Sequence, residues 1–312
     1  KLAAMASHPL LESRLKDDLE TISGGRSVPP RLGEAMRHAC FGGGARLRPL
    51  LCHAVNLACG GAKEHAHAPT SAIEFLHCAS LVHDDLPCFD DAAERRGRPS
   101  VHVAYGEALA VLTGDALIVG AFQMLTTESV SPAHLPALLR CVSDAVSASR
   151  GIVGGQAWEC EPSVALARYH RAKTGALFEA AARCGAIVSN QPEDRWAEFG
   201  ALIGEAYQVA DDLHDALEVR GMGKPAGQDQ ANGRPNAVLT LGLPNALERL
   251  EQLLDAAFDA VPQCENPRPI NNWLAAVASR LQPATIQEPV EGSLPAGAGI
   301  PDAIGKDVRA AP

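Results

Sequence analysis

Helical periodicity runs through almost the whole chain, and several of its helices are apolar on more than one face. Residues 106–125, GEALAVLTGDALIVGAFQML, are the extreme case. A helix without a polar side has to be surrounded, inside a bundle or in a subunit interface. Series of short alternating segments bounded by turns, the mark of a sheet, are nearly absent. The periodicity predicts helices over about 9–22, 30–41, 46–60, 69–87, 104–128, 133–150, 163–190, 193–220, 243–261 and 270–281. Breakers separate them, among them FGGG, CGGAKEHAHAP, RGRPS, NQPED and GMGKPAG. The expected fold class is therefore all-α, with helices packed on helices in a single domain.

The 312 residues, 46% hydrophobic and only 4% aromatic, are enough for one large core. A formal net charge of −10 argues against a nucleic-acid backbone as partner, so no nucleic acid is expected. The nine cysteines are scattered without a CxxC pair. They read as small apolar fillers in a reduced, cytoplasmic protein; Cys88 is expected to pack. No apolar run approaches the ~20 residues that cross a bilayer, so no transmembrane segment is expected. Residues 1–281 are expected to form the domain. Residues 282–312, rich in Pro, Gly and Ala without an amphipathic period, are expected to be a disordered tail.

Chemistry concentrates where apolar helices end. IEFLHCASLV runs into HDDLPCFDDAAERRGRP, which carries Asp84, Asp85, Asp90 and then Arg95 and Arg96. Much later, EAYQVADDLHDALEV carries Asp211, Asp212 and Asp215. Asp211 and Asp215 are four apart and share a helix face. Pro87 is expected to distort the backbone and help turn Asp84, Asp85 and Asp90 towards one point. Either cluster alone could be a solvated helix end. Two of them at the ends of apolar helices would repel strongly in a shared cleft unless a cation lay between. Oxygen donors with no His or Cys pairing suggest a hard ion, Mg2+ or Mn2+. Zinc at His83 or His214 fits those neighbours poorly. Basic residues supply the counterpart: Arg46 and Arg48 after three glycines in FGGGARLRP, Arg95, Arg96, Lys173 beside Thr174 in YHRAKTGALF, and Lys224 in GMGKPAG. Metal plus Arg and Lys is how proteins clamp a phosphate and stabilise it as a leaving group. Together these residues describe a cleft for one or two diphosphates.

These motifs, in this order over residues ~30–280, resemble the all-trans polyprenyl diphosphate synthases. DDLPCFD resembles the family's first aspartate-rich motif, DDLHD the second, GGGARLRP its GGKRxRP motif, and YHRAKTGALF its KTGAL motif. The wording is most similar to the geranylgeranyl diphosphate synthases of bacterial carotenoid and photosynthetic-pigment pathways. The resemblance implies a bundle of long helices around a deep cavity, a homodimer, and condensation of isopentenyl diphosphate with allylic diphosphates (dimethylallyl, geranyl, farnesyl). It implies Mg2+, three ions per active site, on Asp84, Asp85, Asp90, Asp211, Asp212 and Asp215. Arg95, Lys173, Thr174, Gln208 and Lys224 would contact the allylic diphosphate. Gly44, Arg48, His77 and Arg96 would hold isopentenyl diphosphate, with Tyr207 beside it. Outside the resemblance, His77 would read as a core histidine.

The family's Lys in GGKRxRP is Ala45 here, which removes a charged contact worth on the order of 1.5–3 kcal/mol unless another group such as Arg46 compensates. Glu159 and Arg234 stand where relatives often have Asp and Lys. Ala79 and Ser80, five and four residues before Asp84, leave open a tunnel that a bulky aromatic would close at fifteen carbons. Phe75, about one turn further down, is the expected floor, and the expected product has twenty carbons. The apolar helix 104–128 is the expected interface.

Overall fold

The computed structural model describes residues 9–24, 27–217 and 236–282. Lys224, Arg234 and, apart from Gln282, the expected tail lie outside the described residues.

The described chain is helix packed on helix. In order come α1 (Pro9–Ile22), α2 (Pro30–Cys40), α3 (Leu47–Ala58) and α4 (His67–Asp84). A two-stranded hairpin follows, β1 (Glu94–Arg95) and β2 (Arg98–Pro99), then α5 (Val101–Tyr105), α6 (Glu107–Leu125), α7 (Leu135–Val146) and α8 (Ile152–Ala157). A composite helix comes next: α9 (Leu166–His170), a π-helical turn (Arg171–Gly175) and α10 (Ala176–Ile187). Last are α11 (Ala197–Ala216), α12 (Ala237–Leu241), α13 (Leu243–Asp259) and α14 (Arg268–Leu281).

The periodicity places most of these within a few residues. It runs α5 and α6 together, because the break between them is a single Gly106 at φ +92°, and it overlooks the short α8. The hairpin is the one departure from all-helical order among the described residues. Glu94 pairs with Pro99 and Arg95 with Arg98. Its two loop residues, Arg96 at φ 56° and Gly97 at φ 73°, are both left-handed, which is the conformation a two-residue hairpin turn demands.

Position in the bundle follows from composition. α10 is buried along nearly its whole length, from Ala176 to Ile187, and packs against α3, α7 and α11. Phe178 from α10, Phe199 from α11 and Phe75 from α4 are wholly buried in one continuous core. α4 lies mainly against α6, the two most intimately packed elements. α6 is long and apolar enough to cross a membrane by length and composition alone, contrary to the expectation that no apolar run approaches that length. Its inner face, Ala110, Thr113, Gly114, Leu117, Ala121 and Met124, is buried within the bundle. Its outer face leaves Val111, Leu112 and Val119 43%, 50% and 58% exposed. All nine cysteines are free thiols. Cys88 is exposed rather than packed, because it stands in the turn that follows α4 instead of inside a helix.

Candidate active site

α4 delivers the first aspartates. His77, Ser80, Leu81 and Asp84 recur at helical spacing along one side of α4 and line a single cleft. Pro87 forbids continuation of the helix, and the chain folds back so that the Asp90 N–H donates to the Asp84 carbonyl at 2.9 Å. That turn brings the two carboxylates together. Asp85 goes elsewhere. Adjacent helical residues point about 100° apart, and Asp85 accepts from Arg95 Nε at 2.9 and 3.2 Å and from Arg95 Nη2. Burial alone would lower the Arg95 pKa; the hydrogen bond and charge of Asp85, helped by Asp84 and Asp90, outweigh it and raise it. The expectation that Pro87 turns all three aspartates to one point is thus met for Asp84 and Asp90 and not for Asp85.

The composite helix delivers the cation. The π-helical turn holds Lys173 and Thr174, a local bulge of the kind often found at functional sites. Lys173 Nζ lies 3.6 Å from Asp84 Oδ1 and is hydrogen-bonded to Glu159. Glu159 also accepts from the Tyr169 hydroxyl at 2.6 Å and from Gln156 Nε2 at 3.1 Å. The segment carrying Gln156 and Glu159 comes this close because Gly155 has no side chain: a Cβ there would meet the Lys173 backbone at 2.4 Å. Asp84, Asp90 and Glu159 each offer one oxygen within 4.8 Å of the others. Three carboxylate oxygens and no nitrogen or sulfur donor suit a hard divalent cation. Glu159, Gln156 and Tyr169 were not assigned to the site from sequence. The sequence sign is Glu159 itself, which stands where relatives often have Asp, in GIVGGQAWE.

α11 brings the second cluster across the cleft. Tyr207, Gln208 and Asp211 line the same space as Asp84, Arg95, Arg96, Lys173 and Thr174. Asp212 does not line it. Its carboxylate, fully buried, accepts from the Ala237 N–H at 2.6 Å and from Gln208 Nε2 at 2.9 Å, and lies 3.3 Å from His170 Nε2. Gln208 in turn accepts from the Thr174 hydroxyl at 2.5 Å. Asp212 therefore ties α11 to the start of α12 and, through Gln208, to the π-helical turn. That differs from the expected metal ligand, and the cause is the same 100° between neighbours. Asp215, half-buried, is not among the residues lining the cleft.

At the other end of the cleft, Arg48, His77, Arg96 and Tyr207 meet. The Arg48 guanidinium lies 4.2 Å from the Phe178 ring centroid and 5.4 Å from that of Tyr207, and its buried Nε has no partner. Burial lowers the Arg48 pKa from its ordinary value and raises that of Tyr207. Burial, then Arg48, Arg96, Arg46 and Arg95, hold His77 well below the usual histidine value. His77 is consequently neutral at pH 7, beside cations. Gly44, at φ +126°, lets Arg96 lie across the glycine loop, where Arg96 Nη1 donates to the Gly43 carbonyl.

Two expectations shift. Arg46 cannot replace the cation missing at Ala45, because its guanidinium is buried between α1 and α4 on Glu12 and Glu74. Phe75 lies nine residues before Asp84, or two and a half turns, and so on the side of α4 opposite the cleft. Of the three expected chain-length residues, Ser80 lines the cleft, whereas Ala79 and Phe75 are packed into the core.

Known proteins share this plan. A geranylgeranyl diphosphate synthase of Cereibacter sphaeroides is 45% identical over 265 residues, covering 84% of this chain and 92% of that one. One from Rhodobacter capsulatus is 48% identical over 257 residues, covering 81% and 89%. The solved FPP/GFPP synthase of Zymomonas mobilis superposes with a TM-score of 0.73 at 34% identity, covering 87% of this chain and 97% of that one. The family model described as polyprenyl synthetase matches residues 29–267, which take in the glycine loop, both aspartate clusters and the turn that bears Lys173. The chain belongs to the polyprenyl synthetase family.

Proposed function

We propose that the protein joins isopentenyl diphosphate head to tail to allylic diphosphates (dimethylallyl, geranyl and farnesyl) and releases geranylgeranyl diphosphate. One observation carries this reading: Asp84 and Asp211, from helices far apart in sequence, face a single cleft whose other walls are Arg48, Arg95, Arg96 and Lys173. Acids in such number beside cations in such number suit a metal-bound diphosphate at one end and a second diphosphate at the other. The names of the relatives from Cereibacter and Rhodobacter support the twenty-carbon product.

The residues divide the work. Asp84, Asp90 and Glu159 on one wall and Asp211 on the other would hold Mg2+ on the allylic diphosphate. When bound, the metal supplies Lewis-acid withdrawal of charge from the leaving diphosphate. Lys173 and Arg95, already fixed by Glu159 and Asp85, add hydrogen bonds to the oxygens on which charge develops as the carbon–oxygen bond ionises. Thr174, fixed by Gln208, orients the same group. Arg48, Arg96 and neutral His77 hold isopentenyl diphosphate so that its double bond faces the allylic carbon. The apolar body of the bundle keeps water from the cation. The proton lost after carbon–carbon bond formation goes to the departing diphosphate, so no protein nucleophile is required. The exposed apolar face of α6 suits a second copy of the chain in a homodimer, with residues Val111, Leu112 and Val119 buried between protomers. Nine free cysteines suit the cytoplasm.

Incubating the protein with isopentenyl diphosphate, each allylic primer and Mg2+, and reading product length by mass, tests the reading. A twenty-carbon product is expected; a fifteen-carbon product would correct the length, and absence of any condensation would overturn the activity.

A further inference from the structure

The glycine loop leads into Arg48 and holds Arg96 at the Gly43 carbonyl, two of the cations that line the cleft, yet its own backbone is little held. Among the described residues, positions 42–45 make no backbone–backbone hydrogen bond, and Gly43, Gly44 and Arg46 all have positive φ. A loop of this kind keeps one shape only if side chains impose it.

One side chain is built for that task. Arg46 is the residue before α3, at φ 51°, and is 7% exposed. Its Nε donates to Glu12 Oε1 at 2.8 Å, its Nη2 to Glu12 Oε2 at 3.2 Å and to the Cys40 carbonyl at 2.7 Å, and its Nη1 to Glu74. Four contacts to three elements leave the guanidinium little freedom. Glu74 is itself 3% exposed, one turn before His77 on the helix that ends in Asp84. The pair therefore ties the last residue of the loop to the helix that lines the cleft. Arg48 stands two residues beyond Arg46, in the first turn of α3. Where Arg46 is held decides where α3 begins and so where the Arg48 guanidinium sits between Phe178 and Tyr207.

We infer that Arg46 and Glu74, with Glu12 as the outer partner, are positioning residues for isopentenyl diphosphate: they touch neither substrate but fix the loop and Arg48 that do. The inference rests on the assignment of that substrate to the Arg48 end of the cleft. It also explains how the chain tolerates Ala45. With one cation absent, binding depends on accurate placement of those that remain.

The test compares Glu74→Gln and Glu12→Gln with Cys52→Ala, a change in the buried core of α3 that leaves Arg46 untouched. Glu74→Gln keeps shape and removes charge, while Glu12 remains to pair Arg46. Glu74→Gln is expected to raise KM for isopentenyl diphosphate about tenfold, equivalent to about 1.4 kcal/mol. KM for farnesyl diphosphate and kcat at saturating isopentenyl diphosphate should stay within about twofold. Glu12→Gln, at the more exposed end of the network, should give the same split more weakly, about threefold, because Glu74 and the Cys40 carbonyl still hold the Arg46 guanidinium. Cys52→Ala should lower Tm without splitting the two KM values. Equal changes in both KM values, or lost thermal stability with neither changed, would overturn the inference. If Glu74→Gln does not fold, Glu12→Gln decides alone. A wild-type protein inactive with both diphosphates would instead count against the proposed reaction.

Discussion

Two neighbouring glycines separate backbone strain from substrate binding. Gly43 and Gly44 both have positive φ, +95° and +126°, so an alanine at either is strained, at about 1–3 kcal/mol. They differ in what a Cβ would meet. At Gly43 nothing lies within 4 Å; at Gly44 the Cβ would stand 2.5 Å from Arg96 Nη1 and 2.7 Å from its Cζ. The guanidinium is the end of a flexible side chain, so it would give way and leave its place against the Gly43 carbonyl. Gly43→Ala should therefore lower Tm by a few degrees, about 2–4 °C per kcal/mol for a chain of this size or somewhat less, and leave the KM for isopentenyl diphosphate nearly unchanged. Gly44→Ala should lower Tm similarly and also forfeit a charged contact of about 1.5–3 kcal/mol, or about 10- to 150-fold in affinity. The KM for the allylic diphosphate should move in neither. Steady-state kinetics with each substrate varied in turn, beside thermal melts, read all three quantities in both variants. Equal KM values for isopentenyl diphosphate in the two variants would refute the role given to Arg96.

Other consequences of the site are as direct. Chelation of divalent ions should abolish turnover and added Mg2+ restore it, and Asp84→Asn should cost at least about 100-fold in kcat by the loss of an electrostatic anchor; full turnover in excess chelator would end the metal reading. Asp211→Asn should cut kcat with little change in Tm, whereas Asp212→Asn should lower stability by about 1–3 kcal/mol, because the buried hydrogen bonds to Ala237 and Gln208 are disturbed. The folded-state pKa of His77 lies below its usual value of 6.5. As pH falls through that usual value the unfolded chain takes up a proton that the folded one refuses, so stability declines towards acid; His77→Gln should flatten the decline. Ser80→Phe, on the cleft wall one turn below Asp84, should shorten the product to fifteen carbons, and Phe75→Ala, on the far side of α4, should leave product length unchanged by mass.

Much of this was legible in the sequence because the signals are periodic. Apolar spacing located α1, α4, α10, α11 and α13, and Pro87 announced the turn that brings Asp90 back to Asp84. What escaped depended on contacts distant in sequence. Glu159 belongs to the site because Gly155 lets its segment touch the backbone at Lys173, which no local pattern encodes. The hairpin at 94–99 is too short for alternation to mark it, and its turn uses an arginine at positive φ where glycine or asparagine is the usual sign. Arg46 looked like a substrate cation from its neighbours, and only the approach of Glu12 and Glu74 from two other helices shows it engaged elsewhere.

The paired aspartates show how one sequence sign can carry two functions. Each cluster begins with two adjacent acids on a helix, and neighbours on a helix diverge by about 100°, so both cannot face one point. In each pair the first, Asp84 or Asp211, lines the cleft. The second turns to a fixed partner: Asp85 to Arg95, and Asp212 to the Ala237 N–H and Gln208. Those partners are not incidental, for Arg95 lines the cleft and Gln208 holds Thr174. On the proposed reading, the second acid of each pair would act on the diphosphate through a side chain it positions, and the first through the metal. On that division, Asp85→Asn should weaken binding of the allylic diphosphate by freeing Arg95 while leaving the Mg2+ concentration for half-maximal activity nearly unchanged. Asp84→Asn should raise that concentration. If both variants moved the Mg2+ requirement alike, the two acids of the first pair would share one role and the division would fail.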